Sequence, residues 1–224
     1  MRCTFLENCG LLLSCEFSSI LVDAPNGRID GFDTTSEGTL FAMASAEPPY
    51  NTLCGLFFTH LHPDHFDQNR LAMVLEKHKN AVVFLPRAED APNGTLTAGE
   101  FTVHYFSLPH SGGSTYATEH RVLLVECGGK SVYICGDGEP QNELHYKILE
   151  EYHPQVAIWN PNYVNFSRGR ELLKLVQRNY ICHLPIVSHD ALGIKRKCMS
   201  SFEKFSDELQ NVTCVLEHNF TAQI

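Results

Sequence analysis

The chain has 224 residues, 43% of them hydrophobic, enough for one substantial domain over residues 1–224 and short for two. Its 17 Lys+Arg against 26 Asp+Glu give a formal charge of −9, which works against an extended nucleic-acid surface, because that needs a positive field. Nine cysteines, an odd count with no secretory leader before the first strand, read as reduced thiols in a cytoplasmic protein, and no apolar run reaches membrane-spanning length.

In chain order, residues 2–6 form a short strand, Asn8-Cys9-Gly10 turns, and Leu11 to Cys15 returns. Ser19 to Asp23 is an apolar strand ending on an acid. Residues 24–51 are rich in turn formers and predict a loop with a short helix near Leu40–Ala46. Leu53 to Phe58 is a buried-type strand that runs directly into Thr59-His60-Leu61-His62-Pro63-Asp64-His65. Asp67 can cap a helix reaching Lys79, with Leu71, Val74, Leu75 and His78 at helical spacing.

Strands follow at Ala81–Leu85, 100–108, 121–127 and Ser131–Cys135, the last pair joined by a Gly128-Gly129 turn. The spacing then predicts a helix over 141–151, a strand at Val156–Trp159, a helix over Arg168–Asn179 and a strand ending at Cys182. A helix near 197–209 and a strand near 212–217 complete the reading. Strands interleaved with helices fit a layered α/β or α+β domain better than a bundle.

His60, His62, Asp64 and His65 fall within six positions at a strand exit. Alternate residues leaving a strand share a face, so His60 and His62 can pair. Pro63 resists continuing the strand, so Asp64 and His65 turn elsewhere. Two borderline metals ~3.5–4 Å apart need such a divided donor set. The helix-borne His-Glu-x-x-His pattern is absent. His110 precedes a small-residue turn, Ser111-Gly112-Gly113. Asp137 lies between Gly136 and Gly138, where backbone can approach a metal closely, although Asp-Gly is also common in plain turns. His183, His189 and His218 all lie near strand ends.

Thr59 to Asp67, THLHPDHFD, resembles the HxHxDH signature of the metallo-β-lactamase superfamily. Leu21-Val22-Asp23, Leu108-Pro109-His110, Tyr133 to Gly138 and Ile181-Cys182-His183 resemble that superfamily's other motifs, in order. The resemblance implies an α+β fold, a four-layer αββα sandwich, with the site at one edge. It also implies two divalent metals, zinc first and manganese or iron acceptable. His60, His62 and His110 would hold the first; Asp64, His65 and His183 the second; Asp137 would bridge, and Asp23 would support without touching metal. For the last ligand, His189 and His218 stay open beside His183.

A hydroxide bridging two metals is the implied nucleophile, with Asp64 and Asp137 as the catalytic acids of the site. True β-lactamases of the superfamily usually carry cysteine where Asp137 stands, and the RNA-processing branch has a long arm with no counterpart here. A small-molecule phosphodiesterase is therefore the first expectation. A lactonase or thioesterase of the same fold is the alternative within the class, and a non-catalytic metal-binding or interaction protein the alternative outside it. Tyr163, Phe166 and His189 are candidate substrate contacts. Lys195-Arg196-Lys197 could meet a phosphate, although charge runs more often face solvent. No membrane partner is expected, and a homo-oligomer stays open.

Overall fold

Side-chain alternation along strands buried on both faces decides this architecture. The computed structural model describes residues 1–113 and 118–224. The first sheet contains β1 (Arg2–Phe5), β2 (Leu11–Ser14), β3 (Ser19–Val22), β4 (Leu53–Phe57) and β5 (Val82–Phe84). The second contains β6 (Asn93–Ala98), β7 (Phe101–Ser107), β8 (Arg121–Cys127), β9 (Lys130–Ile134), β10 (Val156–Trp159), β11 (Arg178–Ile181) and β12 (Val212–Cys214). A final strand, β13 (Thr221–Gln223), returns to pair with β1.

Both sheets are mixed. The first runs β13-β1-β2-β3-β4-β5, antiparallel up to β3 and parallel beyond it. The second runs β12-β11-β10-β9-β8-β7-β6, parallel from β12 to β9 and antiparallel from there. Parallel neighbours need crossovers, and helices supply them. α1 (Glu37–Ala44) and α2 (Gln68–Leu75) lie between strands of the first sheet; α3 (Leu144–Tyr152), α4 (Asn162–Asn165), α5 (Ser167–Leu173) and α6 (Ile194–Lys204) lie between those of the second.

Ile20, Val22, Phe57, Leu123, Val125, Val132, Ile134, Val156 and Ile158 point between the sheets into one core. Their neighbours Leu21, Leu56 and Phe58 point outward under α1 and α2. Val122, Leu124, Tyr133, Ala157 and Trp159 point outward under α3 to α6. Strands buried on both faces read as unbroken apolar runs, which is why they stand out in the sequence. The result is helices, sheet, sheet, helices: the expected αββα sandwich.

Several boundaries differ from the sequence reading. The helix expected over Arg168–Asn179 ends at Leu173, and the chain re-enters the sheet at Arg178. Asn179 is the cause. Its buried amide donates to the carbonyls of Leu173 (2.8 Å) and Val176 (3.1 Å), satisfying groups that another helical turn would have used. Its Oδ1 accepts from Trp159 Nε1 at 2.8 Å. β6 was missed because its residues alternate exposed and half-buried at the sheet edge, with Gly94 and two threonines. α2 is capped by Asp67 as expected, but stops at Leu75.

The expectation of nine reduced thiols is corrected. Stacking of the sheets brings the ends of β2 and β8 together, and Cys15 is bonded to Cys127 with Cα atoms 6.8 Å apart; seven cysteines are free. Among the described residues, no helix is long and apolar enough to cross a membrane.

Asn179→Leu should orphan the buried Trp159 indole N–H, while Asn211 Nδ2 still donates to the Leu173 and Val176 carbonyls, and so destabilise the fold by about 1–3 kcal/mol. Urea unfolding monitored by Trp159 fluorescence, the only tryptophan, measures this. A change below ~0.5 kcal/mol would show that Asn179 does not anchor the α5–β11 junction.

Candidate metal centre

Strand direction gathers the candidate ligands before any side chain is considered. β3 and β4 are parallel, so Asp23 and the segment Thr59–His65 leave the first sheet at one end. β9, β10 and β11 are parallel, so Asp137, Asn160 and His183 leave the second together. β7 lies two antiparallel steps from β9 and ends on the same side, which delivers His110. The His110 loop is then tied to the Asp137 loop: the Ser111 N–H donates to the Asp137 carbonyl (2.8 Å) and the Glu139 N–H to Pro109 (2.9 Å).

The seven expected ligand-type residues meet there in two sets. One ligand-type atom each from His60, His62 and His110 fall within 4.8 Å of one another, and so do those of Asp64, His65, Asp137 and His183. Asp137 reaches both. Its Oδ2 lies 3.5 Å from His110 Nε2, 3.6 Å from His65 Nε2 and 4.0 Å from His60 Nε2, and its Oδ1 lies 3.3 Å from His183 Nδ1. His183 Nε2 is also 3.1 Å from Asp64 Oδ2.

The ring orientations are fixed from behind. The Thr59 N–H and hydroxyl both donate to Asp23, at 2.7 and 2.8 Å. With its proton committed, the Thr59 oxygen accepts from His60 Nδ1 (3.1 Å), which leaves the lone pair of a neutral ring on Nε2. Burial, followed by the neighbouring His65, pushes the His60 pKa well down, so the ring is neutral. His65 Nδ1 is 3.0 Å from Asp23 Oδ2. Asp23 therefore orients His65 directly and His60 through Thr59. Among the described residues, His60 Nε2 and His65 Nε2 are buried with no hydrogen-bond partner. Orphaned ring nitrogens aimed at a carboxylate are costly unless a cation joins them, so this donor set fits a pair of divalent ions.

Four further side chains hold the two aspartates and their backbone. The Asp64 carbonyl accepts from Asn8 Nδ2 (2.7 Å) and Asn26 Nδ2 (3.0 Å). Asn160 Nδ2 donates to the Gly136 carbonyl (2.9 Å) and to Asp137 Oδ1 (3.3 Å). The Asp137 N–H donates to Nε2 of buried His120, whose Nδ1–H donates to the Leu108 carbonyl. Burial pushes the His120 pKa down to about 3, which keeps that Nε2 an acceptor. Gly136 has φ +52°, and a Cβ there would lie 2.7 Å from both His120 Nε2 and the Thr59 side chain, so glycine is required.

Neither His189 nor His218 joins the set. His218 Nε2 lies 3.0 Å from Asp33, a buried carboxylate that also accepts from the N–H groups of Ile186 and Ser188. That clamp ties residues 186–188 to the loop carrying Phe32, whose ring stacks on His183 at 4.5 Å. His189 is exposed in a neighbouring groove with Arg28 and Arg70. Tyr163 is corrected as a substrate contact: it is fully buried. Tyr133 donates to His145 Nδ1 (2.6 Å), His145 Nε2–H donates to Tyr163 (2.8 Å), and Tyr163 donates to the Gly138 carbonyl (3.1 Å), so the chain of bonds ends beside Asp137. Phe166 is 44% exposed and does not line the cleft at Asp137. Cys135 and Cys182 are buried thiols whose pKa burial raises, not thiolate ligands.

His120, Asn160, Asn8 and Asp33 were not singled out in the sequence. His120 had a readable signal, since it immediately precedes β8, which begins at the edge where its antiparallel neighbours end.

No family profile and no curated protein matches the sequence. Solved structures do match in fold. CmlA from Streptomyces venezuelae, a diiron β-hydroxylase, is 12% identical with a TM-score of 0.69; all of this chain aligns to 54% of CmlA. An isothiocyanate hydrolase from Delia radicum gut bacteria is 14% identical with a TM-score of 0.64, covering 100% of this chain and 99% of that one. YhfI from Bacillus subtilis, a metallo-β-lactamase fold protein, is 14% identical with a TM-score of 0.65 over 99% and 98% of the two chains. The chain has the metallo-β-lactamase fold.

Metal binding should be pH-dependent with a defined sign. Burial pulls the His183 pKa down, but the carboxylates of Asp137 and Asp64 outweigh it and hold it at about 9 in the metal-free site. Burial also pulls the His65 pKa down, but Cys9, Asp23 and Asp137 outweigh it and hold it well above the usual value. A metal must displace both protons, so apparent affinity should rise by about tenfold or more per pH unit above pH ~7. Chelator competition at fixed free metal checks this, and a flat profile would contradict it. Tyr163→Phe should break the bond to Gly138 and weaken metal affinity by about 10-fold with little loss of fold; the same competition assay would register no shift if that bond does not position Asp137.

Proposed function

We propose that the protein is a metal-dependent hydrolase of small molecules, and that it cleaves a phosphodiester. The observation that carries the reading is one half-buried carboxylate, Asp137, shared by two sets of metal-ligand side chains at the end of a cleft of about 260 Å³. His60, His62 and His110 would hold one ion and Asp64, His65 and His183 the other, with Asp137 between them. The described residues of a single chain supply all seven side chains. Structural zinc sites are closed by four protein ligands, whereas this set opens on a cleft, which favours chemistry over a purely structural metal.

Bound divalent ions would supply Lewis acidity toward a substrate oxygen and lower the pKa of water from 15.7 toward ~7. Zinc is the first expectation, and manganese or iron suit the same nitrogen and oxygen donors. The chain's own residues do the rest. His183 and His65 outweigh the effect of burial and hold the Asp137 carboxyl well below the usual range. Asp64 is also held down, by the bond from His183 and the charge of His65. Both carboxylates are therefore ionised at neutral pH and can accept a proton from attacking water. Asn160 fixes one oxygen of Asp137, so the proton-accepting edge has a set direction.

A small diester suits this arrangement, because a paired metal site can balance charge on the attacking and the leaving oxygen together. The cleft lies below the ~300–1,000 Å³ that accommodates a drug-sized ligand, and the charge of −9 disfavours polynucleotides. Asp137 in place of a cysteine points the same way. Phe32, Leu192 and Ile194 on the cleft wall also suit an acyl group, which keeps a lactone or thioester as the second reading.

Metal-loaded protein assayed against an aryl phosphodiester, a lactone and an acyl thioester should show the highest kcat/KM on the diester. Asp137→Asn should lower kcat by about a hundredfold or more. Faster lactone turnover would replace the diesterase reading. No turnover of any substrate by fully loaded protein would favour a non-catalytic metal-binding role.

A further inference from the structure

The cleft that opens from Asp137 and His183 is also lined by Asn162 and Asn165 of α4 and by Lys197 in the first turns of α6. The Asn162 side-chain amide has no hydrogen-bond partner among the described residues. Asn165 Oδ1 accepts from Ser201 Oγ at 2.8 Å, which fixes the amide and leaves its Nδ2 as a donor with no acceptor. Lys197 makes no ion pair among the described residues; its Nζ lies 5.9 Å from the Phe166 ring centroid. Its two basic neighbours do not share this cleft. The backbone N–H groups of Lys195 and Arg196 bond to Asp190, which also answers the positive end of α6, and their side chains do not line the cleft.

The cleft thus carries one ammonium and two amide N–H₂ groups, and among the described residues no carboxylate pairs with them; Phe32, stacked on His183, and Leu192 add apolar surface to the same cleft. Convergent donors without acceptors suit an anion, and a flat aromatic beside them suits a planar body. We infer that the substrate carries a second anionic group, a carboxylate or a terminal phosphate remote from the bond that is cut, and that Lys197, Asn162 and Asn165 bind it while Phe32 packs on the intervening segment. This inference rests on the metal-site reading, because it takes the reacting end of the substrate to lie at Asp137. It makes Lys197 a residue that selects substrates by charge, separate from the groups that act on the scissile bond.

The test compares two metal-binding probes that differ only in a remote charge. Benzohydroxamic acid and 4-carboxybenzohydroxamic acid are titrated into metal-loaded protein by calorimetry, with 4-phosphonobenzohydroxamic acid as the arm that separates phosphate from carboxylate preference. Wild type should bind a charged probe about fivefold tighter than the uncharged one, the upper range for a partly exposed ion pair. Lys197→Ala should abolish that gap, Lys197→Arg should restore most of it, and Lys197→Glu should invert it. Asn165→Ala should narrow it. Equal binding of all three probes by wild type, or a gap that survives Lys197→Ala, overturns the inference and leaves the metal site intact. Failure to bind any hydroxamate would overturn the metal reading and this inference together.

Discussion

The carboxylate of Asp137, half-buried among imidazoles, is the interaction on which the rest of the site depends. Four histidines, His60, His65, His110 and His183, lie within 4.0 Å of one or other of its oxygens. A buried carboxylate is stable only if its charge is answered, and imidazoles answer it by protonation or through a shared cation. The surrounding backbone is bent to maintain this packing. Asp23 and His183 both sit at positive φ, +50° and +61°, and Asn8, whose carbonyl accepts from the His183 N–H, sits at +58°. Non-glycine residues rarely adopt that region, so the sandwich is holding them there.

Much of this was legible in the sequence, for physical reasons that can be named. Strands such as Leu21-Val22 and Val156 to Trp159 are buried on both faces, and their continuous apolar runs announce them. The ligands sit on strand exits, so the end of each apolar run points to the site. What escaped is what depends on long-range pairing. The edge strand β6 lacks an apolar run because only one side of it is paired. Asn179 ends α5 through bonds that its spacing does not announce. Tyr163 looked like a loop aromatic able to face substrate, yet its hydroxyl completes a buried chain from Tyr133 through His145. Among the three candidate last histidines, only the fold distinguishes His183 from His218, because Asp33 captures His218 at a distance of 185 residues in sequence.

The same geometry separates what holds the centre from what lies in front of it. Behind the metal-ligand side chains stand Asp23, Thr59, His120, Asn160 and the His145–Tyr163 pair, all bonded inward. In front lies a cleft lined by Asn162, Asn165 and Lys197, donors that no carboxylate pairs among the described residues. The fold by itself does not choose the reaction, since its solved relatives include both a diiron hydroxylase and a hydrolase. The choice rests on the donor set, its open face and the chemistry of that cleft.

The central claim, two divalent ions sharing Asp137, is tested most directly by counting metal. Protein purified without chelator and passed through a desalting column should carry two equivalents of divalent metal per chain by elemental mass spectrometry. In Asp137→Ala the count should fall below one. No metal in the wild type after incubation with zinc, manganese and iron in turn, or two equivalents retained by Asp137→Ala, would contradict the account.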